Sequence, residues 1–248
     1  MASADIQVGV LGSRGRMGRL VCETVSQTDG LGLAGSVDEG DSLDSLRGCD
    51  VVVDFTRPDV VMGHVAWAIE AGIDLVIGTS GFTAERLDEV RAALGESPRS
   101  AVLVVPNFSI GAVLMMRFAA MAAPWFDSAE IVEAHHPGKA DAPSGTALQT
   151  ARIIAEARSG RAPMADATVS ALDGARGAEV EGVRVHALRL PGLIAAQEVT
   201  FASAGETLVI KDDARDRSSF MPGVVAAIRW IGGRSGLTVG LEPVLGLA

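Results

Sequence analysis

The chain has no tyrosine and only three tryptophans, so aromatic residues make up 4% of its 248 positions. That lack carries no functional reading of its own. Cysteine is nearly as scarce. Cys22 and Cys49 stand alone without C-x-x-C spacing, and in a reducing cytosol both read as small buried hydrophobes. Positive charge is short as well: 21 Lys and Arg face 31 Asp and Glu, for a net charge of −10 and a pI near 4.9. This balance argues against nucleic acid or an acidic membrane surface as partner. An anionic ligand would have to rely on a local positive pocket. No uninterrupted apolar run reaches membrane length, and the N-terminus shows neither a basic lead nor an apolar signal core. A soluble, cytoplasmic protein is expected. There is no internal repeat and no low-complexity tract. The length suits one large or two modest domains with a sizeable core.

What is present is concentrated. Residues 133 to 147 read EAHHPGKADAPSGTA, which places two of the four histidines side by side with Lys139 three residues on. The preceding run Ile131-Val132-Glu133-Ala134 is β-like, and alternation would turn His135 and His136 to opposite faces. Glu133 then shares a face with His135 and is expected to orient it or raise its pKa. Opposite-facing residues chelate one ion poorly, and no cysteine or third histidine lies nearby, so no metal site is expected. Ser144 reads as an N-cap, with Ala147, Leu148, Ala151, Ile154 and Ala155 tracing one apolar helix face as far as Ser159-Gly160. The backbone N–H groups of Gly145 and Thr146 therefore fall in a first helical turn, a natural place for a carboxylate.

A second signature opens the chain. Ile6 to Leu11 alternates into an apolar strand, followed by Gly12-Ser13-Arg14-Gly15-Arg16-Met17-Gly18 and an amphipathic helix to about Gln27. Strand, glycine turn and helix form the context in which backbone amides grip a pyrophosphate, although the spacing is G-x-x-G-x-x-G. Asp38 ends the next strand, Leu33 to Val37, about twenty residues past the last glycine, where an acid contacts the ribose hydroxyls. That carboxylate would repel the extra phosphate of NADPH, whereas Arg14 and Arg16 would attract it. NADH is expected to be used well and NADPH tolerated.

Further apolar strands, Val51 to Phe55, Leu75 to Ile77 and Val102 to Val105, alternate with helices and imply a parallel sheet buried on both faces. Each ends in a small or polar turn: Thr56-Arg57-Pro58, Gly78-Thr79-Ser80-Gly81 and Pro106-Asn107-Phe108-Ser109. Ligands bind at this edge of such sheets. After Ser109 the pattern changes. A helix rich in Ala and Met is expected from about Gly111 to Trp125. Longer alternating segments, Val183 to Leu190, Gln197 to Ala202 and Thr207 to Lys211, suggest antiparallel pairing in a second domain. Residues 161–178 read as an exposed loop and Phe220 to Ile231 as a last helix. The expected class is α/β: a Rossmann-type parallel-sheet dinucleotide-binding domain, residues 1–109 with 219–248. A central α+β domain, residues 110–218, would carry an open mixed sheet.

Taken together, these blocks resemble the 4-hydroxy-tetrahydrodipicolinate (dihydrodipicolinate) reductase family of lysine and diaminopimelate biosynthesis. The resemblance runs from end to end and rests most heavily on the 133–147 block. It also covers the glycine turn, Val53-Asp54-Phe55-Thr56, Gly78-Thr79 and Pro106 to Gly111. It implies reduction of a cyclic imine dicarboxylate with NADH or NADPH by a homotetramer assembled through the central sheet. Position by position, His135 would be the proton donor and acceptor, and Lys139 a second proton donor. His136, Ser144, Gly145 and Thr146 would hold the substrate. Gly12, Ser13, Arg14, Gly15, Arg16, Met17, Asp38, Gly78, Thr79, Ser80, Val105, Pro106, Asn107 and Phe108 would hold the cofactor. Ser80 stands where members often carry threonine, and Ala195-Ala196-Gln197 where some carry Gly and His. His186 and Arg189 lie in a strand resembling the family's, where a basic residue is more often solvated or paired. Two other readings stay open: another two-domain reductase with a Rossmann start, and a non-enzymatic regulator that senses NAD.

Overall fold

The computed structural model describes residues 5–247; the extreme N-terminal residues read above, 1–4, and residue 248 lie outside the described residues. In chain order the elements are β1 (Ile6–Leu11), α1 (Arg16–Gln27), β2 (Leu31–Val37), β3 (Val51–Asp54), α2 (Val61–Ala71), β4 (Asp74–Ile77), α3 (Ala84–Leu94) and β5 (Ala101–Val104). Then follow α4 (Ile110–Ala122), β6 (Ser128–His135), α5 (Gly145–Ala157), β7 (Ala178–Val180), β8 (Val183–Arg189), β9 (Ala195–Ser203), β10 (Glu206–Ala214), α6 (Met221–Ile231) and β11 (Gly236–Val239). They form two compact units. One runs to Phe108 and resumes at Phe220; the other comprises Ser109–Ser219.

The first unit is a six-stranded parallel sheet in the order β11-β5-β4-β3-β1-β2. Its central strands are short apolar runs; every residue of β3 and β5 is buried. A sheet covered on both faces needs such runs, and each fully buried Val, Leu or Ile contributes about 1.5–3 kcal/mol. Helix α1 turns Val21 and Val25 inward and seats against the turn after β1 through Gly18. A Cβ at Gly18 would stand 2.1 Å from the Gly12 carbonyl oxygen, so only glycine allows that approach. Strand β2 starts two residues earlier than the apolar pattern suggested. Strand β11 was not anticipated, because Gly236-Leu-Thr-Val is too short to show a period.

The second unit holds a five-stranded sheet in the order β10-β9-β6-β8-β7. It is mixed: β6 pairs with β8 in parallel, while β9 with β10, β6 with β9 and β7 with β8 are antiparallel. One face packs Ala129, Ile131, Val185, Val199 and Phe201 with Ala119, Ala147, Ala151 and Ile154 of the helices. The other face is open, and Leu188 and Val209 there are exposed. The helix expected to reach Trp125 ends at Ala122 and tightens into a 3₁₀ turn, Ala123–Trp125, at Pro124. Strands β9 and β10 each outrun the expected segments at both ends because they pair along their whole length. The 161–178 loop is mostly exposed, as expected. Of the cysteines, Cys49 is buried and Cys22 only partly so.

Candidate active site

In the second unit, Glu133 is fully enclosed at the third position from the end of β6. Its Oε2 lies 2.6 Å from Nδ1 of His135. Its other contacts come from the Ser144 N–H at 3.0 Å and from Arg189, whose two terminal nitrogens each donate at 2.8 Å. Register explains the meeting. His135 is the β-ladder partner of Arg189, and Glu133 lies two residues back on the same face. Burial alone would raise the Glu133 carboxyl, but Arg189, His135 and the Ser144 amide together hold it below its ordinary range. It is therefore an anion, and His135 presents Nδ1–H to it and Nε2 elsewhere.

Glu133 contacts His135 and pulls its pKa up, as expected, yet the net shift is downward. Burial pushes the imidazolium down, and Lys139 and Arg189 push it further, outweighing the pull of Glu133. Strand β6 also ends at His135, so alternation no longer governs His136. That residue starts a turn in which the Lys139 N–H donates to its carbonyl at 3.1 Å.

Lys139 is mostly covered, and its Nζ pairs with Asp141 at 2.8 Å. Beyond the turn, Ser144 caps α5 by accepting from the Ala147 N–H at 3.2 Å. Gly145 is the first residue of the helix, and a Cβ there would meet nothing within 4 Å. Lys139 above all, with a smaller contribution from the Gly145 amide that was expected to stand open, holds the Asp141 carboxyl below the usual range. An internal carboxylate thus pairs with the expected second proton donor and lies beside one amide that was expected to take a ligand's carboxylate. Arg189 and His186 are both paired, His186 with Glu130 at 2.8 Å. Gln197 donates to Thr150 at 2.7 Å and is buried.

In the first unit, a cavity of about 470 Å³ is lined by Gly12, Gly15, Asp38, Glu39, Asp41, Phe55, Thr56, Arg57 and His64, among others. Gly12 has φ +78°, and a Cβ on it would lie 2.5 Å from the Phe55 carbonyl oxygen. Asp38 follows β2 and accepts from the Arg14 N–H at 2.7 Å and the Glu39 N–H at 2.9 Å, contacts that hold its pKa down. A glycine turn at a helix start with a carboxylate at the end of the next strand beside it fits a dinucleotide. Arg14 is paired with Asp41 and Arg57 with Glu39, while Arg16 is exposed at the start of α1.

Ser13 in the glycine turn and Met17 in the first turn of α1 are not among the cavity's lining, nor are the remaining predicted cofactor residues, which lie at the carboxyl ends of β4 and β5. Gly78 packs on Phe55, and Thr79 donates to Asp54 at 2.7 Å. Ser80 and Pro106 are exposed; Val105 and Phe108 are buried, so these two could offer only backbone. Sequence reasoning passed over the enclosed Asp54, which gathers Thr56, Thr79 and His64, the last at 2.6 Å. A carboxylate ending an otherwise apolar strand was the available signal.

Family profiles for the N-terminus and the C-terminus of dihydrodipicolinate reductase match residues 6–108 and 111–245. The chain belongs to the dihydrodipicolinate reductase family. A 4-hydroxy-tetrahydrodipicolinate reductase of Nocardia farcinica is 58% identical over 98% of this chain and 99% of its own length. One of Mycobacterium marinum is 55% identical over 98% and 100%. The dipicolinate-bound dihydrodipicolinate reductase of Paenisporosarcina sp. TG-14 superposes with a TM-score of 0.87 at 37% identity, covering 96% of this chain and 99% of that one. Membership makes the chain an NAD(P)H-dependent oxidoreductase and removes both alternative readings, another reductase type and a non-enzymatic sensor. The family's C-terminal profile runs through α6 and β11, which the fold places with the N-terminal sheet.

Proposed function

We propose that this chain reduces 4-hydroxy-tetrahydrodipicolinate to tetrahydrodipicolinate, with His135 and Lys139 as its proton-handling groups. The observation that carries the assignment of roles is the convergence on one short stretch of a carboxylate-held imidazole, a covered ammonium and a capped helix start. Ser144, Gly145 and Thr146 at the N-terminus of α5, with His136, bind the substrate carboxylates. Gly12 to Met17, Asp38, Gly78 to Ser80 and Val105 to Phe108 would hold NAD(P)H, which would supply the hydride to the ring carbon from which the hydroxyl leaves as water. Negative charge then develops toward the ring nitrogen. The Lys139 ammonium and the helix-terminal amides favour that state over the ground state. His135, locked through Nδ1, presents Nε2 and delivers the proton.

The cofactor unit comprises both chain ends and the substrate unit the centre. Homotetramer assembly through the open face of the central sheet is supported by its exposed Leu188 and Val209. Among the described residues no helix is long and apolar enough to cross a membrane, and a cytoplasmic enzyme fits the reaction. The carboxylates Asp38, Glu39 and Asp41 around the cavity favour NADH over NADPH.

Steady-state kinetics on freshly generated substrate, with each cofactor, tests the reading. NADH oxidation inhibited competitively by pyridine-2,6-dicarboxylate is expected. Absence of oxidation with either cofactor would refute it.

A further inference from the structure

Arg189 touches three things at once. Its two terminal nitrogens bracket Glu133 at 2.8 Å each; one also donates to the Asp141 carbonyl at 2.6 Å and the other to the Leu188 carbonyl at 2.7 Å. Its backbone position is fixed as the ladder partner of His135, and the next amide, Leu190 N–H, donates to the His135 carbonyl at 3.0 Å. The third guanidinium nitrogen, Nε, is buried without a partner among the described residues. An enclosed ion pair with an unsatisfied donor is a poor device for stability, because desolvation offsets most of the attraction. Its geometry is better suited to holding other groups in place.

We propose that Arg189 is a positioning residue for both proton donors: it clamps Glu133 onto Nδ1 of His135 and pins, through Asp141, the turn that carries Lys139. The proposal rests on the reading of His135 as proton donor. The clamp keeps Glu133 ionised so that it orients the imidazole without taking its proton. Among charged groups, His135 is faced by Glu133 from its own strand and Arg189 from β8, with Lys139 in the turn that follows. The guanidinium repels the imidazolium and also shares the carboxylate that would otherwise attract it. With Glu133 still ionised, removing Arg189 takes away that repulsion and returns the carboxylate to His135, which then holds its proton to higher pH.

The test is the pH profile of kcat/KM for Arg189→Met and Arg189→Lys, beside His135→Gln. In Arg189→Met the limb that His135→Gln abolishes should move up by about one pH unit or more, the scale of a lost charge at contact distance. Arg189→Lys restores the charge but not the fork, so its limb should return toward wild type while turnover stays at least several-fold reduced. A folded Arg189→Met variant whose limb is unmoved would overturn the proposal, leaving Arg189 a structural pair only. If that variant does not fold, Arg189→Lys decides: reduced turnover with the limb near wild type supports the clamp, and full wild-type turnover overturns it. A limb that survives in His135→Gln would instead count against His135 itself, so the two failures are distinguishable.

Discussion

The ammonium of Lys139 is 2.8 Å from the carboxylate of Asp141, two residues further along the same turn, and that carboxylate also faces the Gly145 amide. Asp141 thus competes at the Gly145 amide, to which a substrate carboxylate is assigned. Asp141→Asn should therefore tighten binding of pyridine-2,6-dicarboxylate. The pair is partly exposed, so the gain is about 0.5–1 kcal/mol, roughly two- to fivefold in Kd by titration calorimetry. Weaker binding would instead make Asp141 a support for Lys139.

The lowered pKa of His135 has a consequence for binding. Near pH 7 the free imidazole is neutral, because burial and two neighbouring cations disfavour its charge. A dianion bound beside it reverses that balance and raises the pKa. Dicarboxylate binding should thus take up a fraction of a proton, seen as a dependence of the calorimetric heat on buffer ionisation enthalpy. His135→Gln should remove that uptake. Proton release on binding would contradict it.

Asp38 tests cofactor choice. Asp38→Asn removes the charge that opposes a 2′-phosphate and weakens the ribose contact, so the ratio of kcat/KM for NADPH over NADH should rise about tenfold, near 1.4 kcal/mol. An unchanged ratio would assign discrimination to Glu39 and Asp41.

Gly18 tests the turn beneath the cofactor. Gly18→Ala would drive a methyl against the Gly12 carbonyl. A cost of about 1–3 kcal/mol is expected, a fall in Tm of roughly 2–4 °C for each kcal/mol, with a raised KM for NADH. A wild-type Tm would show that the turn relaxes freely.

Much of this was legible in the chain because local rules were strong where they mattered. The glycine turn, the central buried strands β1, β3, β4 and β5 and the Ser144 cap each follow from short-range chemistry, and these formed within a residue of where they were expected. What escaped depends on pairing between distant segments. Arg189 meets Glu133 only because β6 and β8 run parallel in one register, and nothing within either segment announces that. The same holds for Asp54, whose partners Thr79 and His64 come from different elements. The direction of the His135 shift also needed the fold, since it depends on burial and on cations supplied from elsewhere in the sheet and turn.

The most direct measurement is the turnover of His135→Gln and Lys139→Ala with NADH on freshly generated substrate. Each should fall by about two orders of magnitude or more, the scale of a lost proton donor. Wild-type turnover in both would place the proton chemistry elsewhere.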